Sequence, residues 1–127
     1  MKASSVSAYV LFVKDLDRSA KFYEELGFRF GSRTDDRLKV YLNWFSIEFV
    51  TVGKDDKPEY QQENQLPNKG AGVYFLISVI KVDDFYQEAV KAGLKPLSQP
   101  WDNKDAGRRE FTMLDPDGYK LVFFTKK

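Results

Sequence analysis

The chain contains no histidine and no cysteine, and these two absences narrow its chemistry more than any residue it does contain. Histidine is the usual general base near neutral pH and the commonest nitrogen ligand of zinc, iron or nickel, so serine triads and most transition-metal sites are excluded. Without cysteine there is no disulfide framework, no thiolate nucleophile and no sulfur-ligated metal, which suits a reducing cytoplasm. An excess of one charge is also missing. Lys and Arg number 20 against 19 Asp and Glu, a net of +1, and neither sign gathers into a long block. Neither nucleic acid nor an anionic membrane is therefore expected as a partner. No apolar run approaches the roughly 20 residues of a membrane span. Met1 to Ser5 leads toward a strand without a signal-like apolar core. The expectation is a cytoplasmic protein in which any catalysis falls to carboxylates, Lys, Tyr or Arg.

What the chain does have is apolar and aromatic surface. At 127 residues, with 43% hydrophobic and 16% aromatic residues, it is the size of a single domain spanning 1–127. Its aromatics would line a cavity or interface, or form a large aromatic core, and composition does not choose between these.

Periodicity divides the chain into two similar halves. From Val6 to Lys14 the residues are apolar on both faces, which predicts a strand buried on both sides. Asp15-Leu16-Asp17 offers an aspartate N-cap, read at Asp17, for a helix of about 17–26 that Gly27 ends. Phe28 to Thr34, Leu38 to Trp44 and Ser46 to Val52 then read as strands. Along the last of these, Glu48 points to the face opposite Ile47 and Phe49, which would meet the helix. A polar, turn-rich linker follows over 54–70.

The pattern then repeats. Val73 to Val79 is again doubly apolar, Asp83 would cap a second helix, and Gly93 closes it. Val79, Asp83 and Gly93 lie 66 positions beyond Val13, Asp17 and Gly27. Leu94 to Ser98, Glu110 to Leu114 and Tyr119 to Phe124 read as the last strands, with 99–107 as a long loop carrying Trp101. Asp115-Pro116-Asp117-Gly118 is a turn, since Pro presets a negative φ, Asp folds onto nearby amides and Gly accepts a positive φ. The implied fold is α+β, two βαβββ modules of about 5–53 and 71–127 forming a curved mixed sheet with a cup-shaped cavity.

Two segments carry a family resemblance: residues Val13 to Phe28, which read VKDLDRSAKFYEELGF, and the closing Asp-Pro-Asp-Gly turn. Together they resemble the vicinal oxygen chelate superfamily of glyoxalase I, extradiol dioxygenases, fosfomycin-resistance enzymes and bleomycin-resistance proteins. The resemblance implies paired modules around a cup, often completed in a homodimer. It also implies metal-ligand positions on the first and last strand of each module, which by register fall on Ala8, Glu48, Tyr74 and Val122. Only Glu48 keeps a usual ligand type, and a divalent transition metal needs about three or four protein ligands. No metal and no cofactor are therefore expected. Gln99-Pro100-Trp101 with Gly107 to Phe111 is similar to the bleomycin-resistance branch, whose dimers sequester a drug without altering it.

By strand parity, the hollow is lined by Ala8, Val10 and Phe12, by Ser46, Glu48 and Val50, by Tyr74, Leu76 and Ser78, and by Lys120, Val122 and Phe124. The expected ligand-binding set is Phe12, Glu48, Tyr74, Trp101, Arg109, Val122 and Phe124, holding a small aromatic or amphipathic molecule in a homodimer. Trp101 would act as a lid or interface anchor, and Arg109 as an anion clamp or a partner of Glu110 or an aspartate. Three functions stay open: sequestration by binding, a metal-free lyase or isomerase with Glu48 as base and Tyr74 as acid, and an interaction module whose cup is filled.

Overall fold

The computed structural model describes residues 1–52, 66, 67 and 69–127, so most of the expected 54–70 linker falls outside the described residues. The chain divides into two compact units, Met1–Lys69 and Gly70–Lys127. Unit one runs β1 (Tyr9–Val13), α1 (Leu16–Glu25), β2 (Arg29–Arg33), β3 (Arg37–Leu42) and β4 (Phe45–Thr51). Unit two runs β5 (Tyr74–Ser78), α2 (Val82–Lys91), β6 (Trp101–Asn103), β7 (Arg108–Leu114) and β8 (Lys120–Lys126). Each unit is a four-stranded mixed sheet with one helix, ordered β1-β4-β3-β2 and β5-β8-β7-β6. The first strand pairs parallel with the last and the others pair antiparallel. This is the expected α+β pair of βαβββ modules.

The repeat extends to the ends of both helices, since α1 and α2 begin and end 66 residues apart. Each helix stops the same way. Gly27 and Gly93 take φ of +93° and +85°, a left-handed conformation that a side chain resists. The amides of Phe28 and Leu94 then reach back to the carbonyls of Tyr23 and Ala89, each at 3.0 Å. One face of each helix packs on its sheet through aromatic rings. Tyr23 meets Phe28 and Phe49 at 5.1 and 4.9 Å, and Phe85 meets Phe123 at 4.7 Å and Phe111 at 6.3 Å. Tyr23, Phe49, Phe111 and Phe123 are all buried. Burying each such ring contributes about 1.5–3 kcal/mol, so these pairs hold the helices in place.

Three expectations need correction. First, β1 is an edge strand of its sheet, not a strand buried on both sides: Tyr9 and Val10 are each about half exposed, and on β5 so are Tyr74 and Leu76. The helix covers only one face of each sheet, so the second apolar face of these strands does not serve the unit's own core. Second, Leu94 to Ser98 is not a strand. Toward β7 it makes one bridge, Pro96 to Met113, and one bond, from the Leu97 amide to the Thr112 carbonyl. Pro96 and Pro100 lack the amide donors that a longer ladder needs. The strand forms instead at β6, so Trp101 stands on a strand opposite Glu110 and not in a loop.

Third, the helix caps differ. Asp15, in extended conformation, caps α1 by accepting from the Arg18 amide, while α2 starts at Lys81 with no side-chain cap. Asp17 and Asp83 lie two residues further in, within the first turn, where each binds an arginine: Asp17 takes Arg33, and Asp83 takes Arg109 through both oxygens.

The turns behave as their residues require. Asp115 Oδ1 accepts from the amides of Asp117 and Tyr119, both at 2.9 Å, while Gly118 takes φ +91°. Asn43 at φ +57° begins the β3–β4 turn and leaves Trp44 almost fully exposed.

Candidate functional site

In each unit the sheet face away from the helix carries the polar handles, and backbone register shows which residues share it. In unit one Val10 pairs with Glu48 and Phe12 with Val50, while Glu48 also faces Lys39 on β3. Side chains alternate along a strand, so Phe12, Ser46, Glu48 and Val50 lie together opposite the face that α1 covers. The Glu48 carboxylate accepts from Arg37 Nη1 at 2.9 Å. The two side chains are 36% and 42% exposed, so this is a solvent-screened ion pair of small energetic value. Its consequence is positional, because it orients the Glu48 carboxylate toward Arg37.

In unit two Leu76 pairs with Val122 as Val10 pairs with Glu48 in unit one. Val122 thus stands at the register position of Glu48. On the same face Tyr74 pairs with Lys120 and Ser78 with Phe124. Trp101 faces Glu110, which faces Phe124, so these three form a row across β6, β7 and β8.

The centre of this face is a polar cluster that strand parity alone did not bring forward. Glu110 is buried, and its Oε1 accepts from Arg108 Nε at 2.6 Å and from Asn103 Nδ2 at 3.1 Å. The Arg108 guanidinium lies 5.7 Å from the centre of the Phe124 ring and is also influenced by the Tyr74 hydroxyl. Glu110, and then Tyr74, hold the Arg108 pKa above its ordinary value by hydrogen bonding and charge, against the opposing effect of burial. The available signal was the i, i+2 spacing of Arg108 and Glu110, which puts both on the face of Phe124.

Arg109 points the other way, toward α2. Its Nε and Nη2 donate to the two oxygens of Asp83, and its Nη1 donates to Asp102 at 3.1 Å. Asp83 and then Asp102 raise the Arg109 pKa. Lys127 and then Arg109 lower that of Asp102. A groove of about 360 Å³ at the start of α2 is lined by Lys81, Asp83, Arg109 and Lys127 among others. Its Arg109 and Asp83 are already paired with each other.

The family's four metal positions can be tested against these side chains. Ala8 and Val122 offer no side-chain donor atom, Glu48 is bound to Arg37, and Tyr74 offers only a phenol. No group of three or more Asp, Glu, His or Cys side chains comes together among the described residues. The donor set does not fit a divalent transition metal.

The chain shares its fold and a family signature with known proteins. The family model of the glyoxalase/bleomycin resistance protein/dioxygenase superfamily matches residues 5–123. A virulence protein from Salmonella typhimurium has a similar structure, with a TM-score of 0.78, 21% identity and full coverage of both chains. A hypothetical protein from S. aureus has a TM-score of 0.76 and 20% identity over 98% of this chain and 95% of its own. A glyoxalase/bleomycin resistance protein/dioxygenase from Nocardioides has a TM-score of 0.75 and 18% identity over 99% and 85%. At such identities the likeness concerns the fold alone. No curated protein matches the sequence.

Proposed function

The chain belongs to the glyoxalase/bleomycin resistance protein/dioxygenase superfamily, and from that membership we propose that it is a metal-independent binding protein for a small aromatic or amphipathic molecule. One observation carries the reading. Of the four positions where metalloenzymes of the family place ligands, two lack a donor, one is a tyrosine, and Glu48 is held by Arg37. The open face of unit two supports it further, with Tyr74, Leu76 and Trp101 each about half exposed around a few polar groups. Small-molecule sites usually combine these features. A sequestering role of the bleomycin-resistance kind follows, and the protein acts in the cytoplasm, consistent with a chain free of cysteine. Among the described residues no helix is long and apolar enough to cross a membrane.

The working form is a homodimer. Tyr9 and Val10 on β1 and Val73, Tyr74 and Leu76 at β5 leave apolar edge strands exposed, and such edges are normally covered by a partner. The competing reading, a metal-free lyase or isomerase with Glu48 as base, is less well supported. The Arg37 guanidinium donates to one oxygen of the Glu48 carboxylate, so a substrate would have to compete with Arg37 for that group.

Native mass spectrometry of gently purified protein tests the proposal. The expected spectrum shows a dimer with a retained small molecule and no metal in proportion to subunits. A stoichiometric divalent metal would contradict it.

A further inference from the structure

We propose that the ligand held on the open face of unit two is an aromatic anion, with Arg108 as the residue that binds its acidic group. This names the ligand class and rests on the binding reading above. The first ground is the state of Arg108 itself. Its side chain is only 18% exposed, and a guanidinium carries five N–H donors. Glu110 takes the Nε hydrogen, which leaves at least three of the four Nη hydrogens without a partner among the described residues. A part-buried donor without a protein partner is open to water or to a ligand. The Nη edge of a guanidinium fits a carboxylate or sulfonate through two parallel hydrogen bonds.

The second ground is charge. In a chain of net charge +1, the open face of unit two carries Arg108, Lys120 and Lys126 against Glu110 alone, a surplus of two positive charges. Unit one repeats the surplus, with Arg29, Arg37 and Lys39 against Glu48 on its open face. Both open faces thus favour an anion, and the balancing acids lie elsewhere.

The third ground is the surroundings of the guanidinium. Phe124 lies under it, and Trp101 and Tyr74 stand half exposed on the same face, ready to stack on a planar ring. Glu110 acts as a positioning residue. Through Nε it fixes the plane of the guanidinium and leaves the Nη groups to other partners, and Asn103 fixes Glu110 in turn.

Two fluorescent probes with one ring system test this: 8-anilinonaphthalene-1-sulfonate and its uncharged parent, N-phenyl-1-naphthylamine. The protein carries Trp44→Phe, so that Trp101, the other of its two tryptophans, reports binding by quenching. The sulfonate is expected to bind at least tenfold more tightly than the neutral probe. Arg108→Gln should abolish that preference while leaving the neutral probe within twofold, and Arg109→Gln should keep it. Cooperative thermal unfolding checks that each variant is folded. If Arg108→Gln fails to fold, the two probes on the parent protein decide alone. Equal affinity for both probes, or an unchanged preference in folded Arg108→Gln, overturns the anion assignment and leaves the binding proposal standing. If neither probe quenches Trp101, the binding proposal fails with it.

Discussion

At the scale of single residues, neighbouring side chains of one type have opposite roles according to the face they occupy. Arg108 and Arg109 are adjacent, yet Arg108 holds Glu110 on the open face while Arg109 holds Asp83 and Asp102 on the helix side. The second cluster has a measurable dependence on pH. Lys127 first, and Arg109 second, hold the Asp102 pKa below its ordinary value of 3.8. A carboxyl whose folded pKa lies below its unfolded one stabilises the fold above the unfolded value and loses that contribution as pH falls through the folded one. Asp102→Asn should therefore melt below the parent at neutral pH, and the gap should close as pH drops below about 3.8. Thermal melts across an acid series check this, and a gap that widens on acidification would contradict it.

At the scale of elements, two helices in matching positions are started differently. Asp15 caps α1, and α2 begins at Lys81 without a side-chain cap. Asp15→Ala should cost about 1 kcal/mol of stability, and Lys81→Asp should add a similar amount, by the usual worth of an N-cap. Denaturant unfolding of both variants decides it, and equal effects at the two sites would show that the helix starts are not distinct.

Much of this level was legible in the sequence. Apolar spacing and a glycine in left-handed conformation are local signals, so the 66-residue repeat placed both helices to within a residue. Strand alternation correctly put Val10 with Glu48 and Leu76 with Val122. The cap was not legible, because Asp15 and Asp17 are equivalent locally and only the tertiary pairing of Asp17 with Arg33 separates them. The strand at Trp101 was hidden for a similar reason. Its pairing partner is β7, whereas the more apolar Leu94 to Ser98 is interrupted by Pro96. The Arg108–Glu110 pair was missed because the sequence predicts that strand from Glu110 onward, whereas β7 begins at Arg108, so alternation does not extend to the arginine two residues before the acid.

At the scale of the whole molecule, a superfamily fold is kept while, of the four positions that the family resemblance assigns to a metal, two hold an alanine and a valine, one a tyrosine, and one a glutamate paired with Arg37. A fold accepts such replacement because function resides in the side chains placed on it. The faces away from the helices carry aromatic rings and surplus positive charge, on which the proposed metal-free recognition rests. The most direct test is a titration of chelator-stripped protein with 8-anilinonaphthalene-1-sulfonate, before and after adding zinc, manganese or nickel. The account predicts the same stoichiometry and an affinity within twofold throughout. Binding that disappears on stripping and returns with one equivalent of a divalent metal would contradict it.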